Sequence, residues 1–242
     1  MRILPIKTSL FHQGGSLRDF ILENIPTSQW QESSLLAITS KIISLSENRV
    51  ATKEHNKLDL IQCEADYDLG EIGHNMRLTI KEHLLLPAAG IDESNSPQGH
   101  YILYPQSPYQ TAQTLLAELK TALHLQKLGL IITDSRSGPL RHGVVGACVA
   151  FAGFHPVRDM RGEKDLFDRP LKVTKVNLAD SLAAAAVVMM GEGSEQCPLT
   201  LIEGAPVQFS SEPVSAEELV IPPNEDIYLP LYQHRLKKSD RS

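Results

Sequence analysis

Cysteine is scarce and poorly placed for cross-linking. Cys63, Cys148 and Cys197 are the only three in 242 residues. They are odd in number, widely spaced and never paired as C-x-x-C, which speaks against a disulfide framework and against a zinc ribbon. Long apolar runs are missing as well. No stretch approaches the roughly 20 residues of a membrane helix, and the apolar run within Met1–Lys7 is too short for a secretory signal. A cytoplasmic protein without membrane contact is expected. There is no basic surplus either: the net charge is −6, whereas nucleic-acid binders track phosphates with excess Lys and Arg. Internal repeats, heptads, low-complexity tracts and a linker that would separate consecutive domains are all lacking.

The generic nucleotide motifs fail too. Gly138-Pro139-Leu140-Arg141-His142-Gly143 has the glycine spacing of a P-loop, but Val144 and Val145 stand where Lys and Ser/Thr would hold phosphate and Mg²⁺. Gly191-Glu192-Gly193 lacks the third glycine of a dinucleotide fingerprint and follows a helical segment. None of the nine histidines forms an H-x-H or H-x-x-x-H pair. Any nucleotide site therefore belongs to a different fold, and a zinc site would need distant partners.

What is present is enough apolar residue, 42% of the chain, to bury a full core. Ser16 and Asp19 cap a helix that carries Leu17, Phe20, Ile21 and Ile25. Leu35–Thr39 reads as a buried strand that delivers Ser40 and Lys41 to its end. Leu58, Ile61, Ala65 and Leu69 recur at helical spacing. Leu78–Leu86 and Tyr101–Tyr104 are strand-like, separated by a polar loop with Gly90, Asp92, Ser94, Asn95, Pro97 and Gly99. The longest helix is predicted from Pro108, capped by Ser107, to a stop at Gly129. Leu130–Asp134 reads as a strand ending in an acid, followed by apolar runs at Val144–Phe154 and Leu171–Leu178. A helix over Ala179–Met190, a strand over Pro198–Ile202 and a loosely held tail after Pro222-Pro223 complete the pattern.

Asp92 and Asp134 each follow apolar residues and precede small hydroxyl residues. In that setting a carboxylate at a strand end binds Mg²⁺ or Mn²⁺ with other oxygen ligands, although such an acid is also a common turn or cap residue. Glu192, between two glycines, is open to the same two readings. Between Arg136 and Lys175 eight Lys/Arg face four Asp/Glu. This net positive stretch either neutralises phosphate and carboxylate groups or forms a solvated surface.

Taken together, the strings Ala89-Gly90-Ile91-Asp92 with Ser94-Asn95, Ile132-Thr133-Asp134, Arg141 with Gly143–Gly146, Arg158-Asp159 with Gly162 and Lys164-Asp165-Leu166, Leu171–Thr174, Ala179-Asp180 and Met190–Gly193 resemble the coenzyme F420-0:γ-glutamyl ligases. The resemblance covers about residues 1–204, leaving 205–242 as a C-terminal extension. It implies an α+β fold of mixed sheets with packed helices in two intertwined subdomains, a homodimer, and GTP as co-substrate with Mg²⁺ or Mn²⁺, K⁺ being a further candidate. The reaction implied joins L-glutamate through an amide bond to an acidic acceptor activated as an acyl phosphate. By the same carry-over Asp92, Asp134, Glu192, Ser135 and Ser40 would hold metal. Leu10, Phe11, His12, Lys41, Asn95, Gly191 and Gly193 would line the nucleotide site. Asp134, Arg141 and Lys164 would form the catalytic set.

Three positions depart from the family pattern. Leu45 stands where a phosphate-binding Lys is usual, Ser107-Pro108-Tyr109 where an acidic D-P-D string is usual, and Ala88 where Asn precedes A-G-I-D. An aliphatic side chain cannot supply the charge of that lysine. The acceptor is an F420 precursor, a folate or another carboxylate, and a non-catalytic binding relative is the reading from a different class.

Overall fold

The computed structural model describes residues 1–73, 76–96 and 99–238. In chain order it contains β1 (Arg2–Ile6), α1 (Leu17–Asn24), β2 (Ser34–Thr39), α2 (Ser40–Ser46), β3 (Val50–Ala51), α3 (Lys57–Glu64), β4 (Tyr67–Gly73), β5 (Met76–Lys81) and β6 (Leu84–Pro87). There follow β7 (Tyr101–Ile102), α4 (Pro108–Leu123), β8 (Leu128–Ser137), β9 (Val144–Ala152), β10 (Val157–Asp159), β11 (Lys175–Asn177), α5 (Leu178–Met190), β12 (Leu199–Glu203), α6 (Leu229–Tyr232) and β13 (Lys237–Lys238). The fold is α+β.

A five-stranded sheet ordered β1-β12-β2-β8-β9 forms the centre. β2 and β8 run parallel and its other pairings are antiparallel. Both faces of its middle strands are covered. Leu36 and Ile38 of β2, with Leu130 and Ile132 of β8, pack with Phe20 and Ile21 of α1, Ile43 of α2 and Leu115 and Leu119 of α4. The alternate residues Leu35, Ala37 and Ile131 pack with Ala179, Leu182, Ala183 and Ala186 of α5. That two-sided burial is why β2 reads as an unbroken apolar run rather than an alternating one.

A second unit is inserted between α2 and α4. The short antiparallel pair β3–β7 marks where the chain leaves and returns. Within the insertion β4, β5 and β6 form an antiparallel meander, and β13 from the far end of the chain adds to β4. Both sheets take strands from distant parts of the sequence.

Several boundaries differ from the sequence pattern. The helical spacing that reaches Leu69 stops at Glu64: Ala65 turns extended, and Leu69 lies in β4 against Ile80 and Tyr232. The run Leu78–Leu86 is a hairpin, turned by Glu82 and His83 at φ 47° and 66°, the left-handed pair of a two-residue turn. Helix α4 ends at His124, itself left-handed, and Ser107 makes no side-chain cap. Gly129 is no helix stop but lies inside β8, where an added Cβ would fall 2.2 Å from Leu35 Cδ2. β8 does not end at Asp134 but continues to Ser137. Of Leu171–Leu178 only Lys175–Asn177 forms a strand, paired with Val157–Asp159 of the charged stretch. The segment after Pro222-Pro223 is held rather than loose up to residue 238: Tyr232 is buried and donates to Asp226 at 2.5 Å, and Arg235 donates to the Leu69 carbonyl at 3.3 Å. Pro97 lies outside the described residues. Among those described, no helix is long and apolar enough to cross a membrane.

Helix α5 sits so close to β9 that a Cβ at Gly146 would lie 2.6 Å from the Ala183 carbonyl oxygen and 2.7 Å from Val187. Backbone cannot yield as a flexible side chain does, so Gly146→Ala is expected to cost about 1–3 kcal/mol. Gly138→Ala, where nothing lies within 4 Å, is expected to be near neutral. Thermal melts of the two variants beside the parent check this.

Candidate functional site

The parallel register pairs Thr39 with Thr133, so the first residues beyond them, Ser40 at the start of α2 and Asp134 in β8, are neighbours. Ser40 Oγ donates to Asp134 Oδ2 at 3.1 Å. A register irregularity between Ile132 and Thr133 against β9 sits one residue from this acid, where a bulge re-aims side chains. The Cys148 backbone N–H at that irregularity is taken by Asp180 Oδ1 of α5 at 2.8 Å. Asp180 is in turn fixed by the Asn177 cap, whose Oδ1 accepts its N–H at 2.9 Å.

Asp134 opens onto the cavity but is closely enclosed by protein. Burial pushes its carboxyl up to about 6; the Ser135 N–H at 2.7 Å and the Ser40 hydroxyl oppose that rise, while the charge of Asp92 adds to it. Asp92 behaves differently. Burial works to raise it, but the Lys41 ammonium and the Ser94 N–H and hydroxyl outweigh burial and hold it below its ordinary value. Its backbone is fixed by a two-bond bridge to Ile102, 2.9 Å from Asp92 N–H to Ile102 O and 2.8 Å in the reverse sense. Just before it, Ala88, Ala89 and Gly90 are all left-handed, at φ 54°, 52° and 73°. The turn is pinned where Thr79 Oγ1 accepts the Ala89 N–H at 2.9 Å. Gly90 is required there: a Cβ would meet the Tyr104 ring at 2.6 Å.

At the C-terminal end of α5, Gly191 at φ 79° turns the chain and brings Glu192 to the site, where its Oε2 accepts from Ser135 Oγ at 3.3 Å. Gly193 is held by Glu195, whose Oε2 accepts its N–H at 2.8 Å. Asn95 reaches across from the other loop and donates to the Gly193 carbonyl at 3.0 Å.

These groups line one cavity of about 360 Å³, within the range of small-molecule sites. Of the residues selected from sequence, Leu10, Phe11, Ser40, Lys41, Asp92, Asn95, Asp134, Ser135, Gly191, Glu192 and Gly193 line it. His12, Arg141 and Lys164 do not. Arg141 lies in the β8–β9 hairpin loop and donates to the Leu140 carbonyl. Lys164 pairs with Asp168 at 3.0 Å on an exposed arm. Leu45 also faces the cavity while only 5% exposed. Sequence reasoning missed Glu195 and Tyr104 and gave Ser94 no role. The Tyr104 hydroxyl has no hydrogen-bond partner among the described residues, and its ring sits under Gly90, a contact no local pattern announces.

The donor set suits a hard cation. Asp92, Asp134, Glu192, Ser40 and Ser135 offer only oxygen. Among the described residues no three His, Cys, Asp or Glu side chains form a ready cage. The acids instead stand around a shared space, the arrangement in which a cation takes one or two carboxylates and completes its shell from substrate oxygens and water.

A family model described as F420-0:Gamma-glutamyl ligase matches residues 52–204, well over half of the chain. Relatives include the coenzyme F420:L-glutamate ligase of Methanocaldococcus jannaschii, 38% identical over 73% of this chain and 69% of that protein. The protein of the same description from Methanococcus maripaludis strain C6 is 32% identical over 82% of this chain and 86% of its own length. That from Methanopyrus kandleri is 29% identical over 94% and 97%. With the family model matching more than half of the chain and relatives above 30% identical aligned over most of it, the chain belongs to the F420-0:gamma-glutamyl ligase family.

Proposed function

We propose that this chain joins L-glutamate by an amide bond to an acidic cofactor precursor of the F420-0 type, driven by GTP with Mg²⁺ or Mn²⁺, K⁺ being an accessory candidate. The observation that carries this reading is the charge of the cavity. Among the described residues Asp92, Asp134, Glu192 and Glu195 line it, against Lys41 as the sole Lys, Arg or His of the lining. A triphosphate cannot enter such an acidic space without divalent cations to offset its charge. Asp92, Asp134 and Glu192, with the hydroxyls of Ser40 and Ser135, would hold them. Bound there, a divalent cation would neutralise the transferring phosphoryl group and hold it in line.

In the reaction proposed, an acceptor carboxylate oxygen attacks the γ-phosphorus and the nucleoside diphosphate leaves. The glutamate amine then attacks the acyl carbon, phosphate departs and the amine loses its proton. The chain's share is positioning. Ser40 and the Ser135 N–H orient Asp134, Ser94 orients Asp92, and the Asn95–Gly193 hydrogen bond ties the two loops that line the cavity. A homodimer belongs to the same reading. Arg141 and Lys164 lie on exposed projections tipped by Leu140, Leu166 and Phe167, 96%, 98% and 76% exposed, which a second copy would cover.

Leu45 favours one other reading, a nucleotide- or metal-binding relative without turnover, since it gives the cavity an apolar wall where the family carries a base. Calorimetry with GTP and with ATP, each with and without Mn²⁺, followed by mass spectrometry of F420 precursors and folates incubated with glutamate, separates the two. A glutamylated product supports the ligase; metal-dependent binding without product supports the relative. No binding under any condition refutes the metal and nucleotide assignment. Leu45→Lys is expected to tighten GTP binding by about 1–2 kcal/mol, read as Kd.

Asp134 must be ionised to hold a cation, so Mn²⁺-dependent GTP binding is expected to weaken as pH falls through about 6. Asp134→Asn should abolish that binding. Its effect on stability has the opposite sense. Between about 3.8 and about 6 the folded chain keeps a proton that the unfolded chain has released, so ionising Asp134 destabilises the fold as pH rises through that window. Without metal, Asp134→Asn should melt above the parent at pH 8, at about 2–4 °C per kcal/mol, with the gain shrinking at pH 5. Melting curves at both pH values decide it.

A further inference from the structure

Lys41 lies in the first turn of α2, and its side chain crosses to the Asp92 loop. The ammonium sits 2.7 Å from Asp92 Oδ2, 2.9 Å from the Ser94 carbonyl oxygen and 3.0 Å from Ser94 Oγ. Three donors thus meet three oxygens. Those oxygens are pre-oriented by bonds that do not involve the lysine. The Ser94 N–H donates to Asp92 Oδ1 at 2.7 Å, Ser94 Oγ to Oδ2 at 3.1 Å, and the Asp92 backbone is bridged to Ile102. A carboxylate oxygen, a carbonyl oxygen and a hydroxyl held ready around a positive charge form the donor set of a hard metal cation.

We infer that Lys41 is a positioning residue that stands in for a divalent cation at the Asp92 side of the cavity and yields that place only when a polyphosphate draws its ammonium away. The inference rests on the proposed metal and nucleotide site and adds an order to it. While Lys41 holds Asp92, a cation finds Asp134 and Glu192 but not the third acid, so metal alone binds weakly. A triphosphate supplies acceptor oxygens for the ammonium. Asp92 is then released to the metal, and each ligand strengthens the other by the same factor. The exchange is feasible because the pair is not sealed: the two side chains are 22% and 43% exposed, so water screens the intermediate arrangement and no large desolvation penalty blocks it.

The test measures free Mn²⁺ by electron paramagnetic resonance during titration of the full chain, with and without a non-hydrolysable GTP analogue. The parent is compared with Lys41→Met, Lys41→Arg and Lys53→Met. Lys53 pairs with Glu93 on the same loop and lies outside the cavity lining, so its loss controls for charge removal as such. Without nucleotide, Lys41→Met is expected to bind Mn²⁺ about tenfold more tightly than the parent. Lys41→Arg and Lys53→Met should stay near the parent. The factor by which nucleotide raises Mn²⁺ affinity should be smaller in Lys41→Met than in the parent. A lysine that merely braces the loop would give weaker, not tighter, Mn²⁺ binding on removal. Unchanged or weaker binding by Lys41→Met, in a parent that binds Mn²⁺ with the analogue, overturns the stand-in role and leaves the proposed function intact. A parent that binds no Mn²⁺ in either condition overturns both.

Discussion

Strands β2 and β8 are the parallel pair of the central sheet, and the meeting of Ser40 with Asp134 at the cavity follows from it. Parallel neighbours end on the same side, so the turn from β2 into α2 and the continuation of β8 present Ser40 and Asp134 together. An antiparallel pairing would have put them at opposite ends. The burial of both strands on two faces fixes their register, because a one-residue slip would exchange the residues facing α5 for those facing α1, α2 and α4. Helix α5 then needs only its own length along β9 and β8 to bring Gly191 and Glu192 to the same side of the sheet.

The inserted unit contributes the remaining wall, and it does so through strained backbone. Two alanines and a glycine in left-handed conformation precede Asp92. A non-glycine residue there is disfavoured, and such strain persists only where the surroundings over-determine it. Thr79, the Tyr104 ring and the bridge to Ile102 do so here. Ala88, one of the departures from the family pattern, falls on this turn. Asn tolerates the left-handed region better than Ala, which gives the family's usual residue a conformational reason.

Electrostatically the cavity is two acids with opposite tendencies. Asp92 has an ammonium and a serine to stabilise its charge; Asp134 has a serine, a backbone N–H and its neighbour's negative charge, in a more enclosed place. The difference comes first from the deeper burial of Asp134 and then from Lys41, which hydrogen-bonds Asp92 and touches Asp134 only through its charge. Paired, Asp92 is stable alone, whereas Asp134 is relieved by protonation or by a cation. The phosphoryl transfer proposed for this cavity would use this unfinished charge balance, completed when substrate and metal arrive together.

The sequence by itself determined the apolar runs of β2, β8 and β9, the capped start of α1, the helical content and Gly191 stop of α5, and the acids to examine, because each rests on local composition, spacing or a cap within a few residues. It also carried the family, since many spaced strings in one order are specific where each alone is not. It misjudged Gly129 as a helix stop and Leu69 as helical, because a glycine required by packing and an apolar residue shared between period-two and period-3.6 patterns look the same locally. Only the tertiary structure decided that Lys41, Ser94 and Asp92 meet across 53 positions of chain, that Asn95 clasps Gly193, and that Arg141 and Lys164 stand apart from the cavity within one copy. Those relations depend on sheet order and on where an inserted unit re-enters, and no short stretch of chain encodes either.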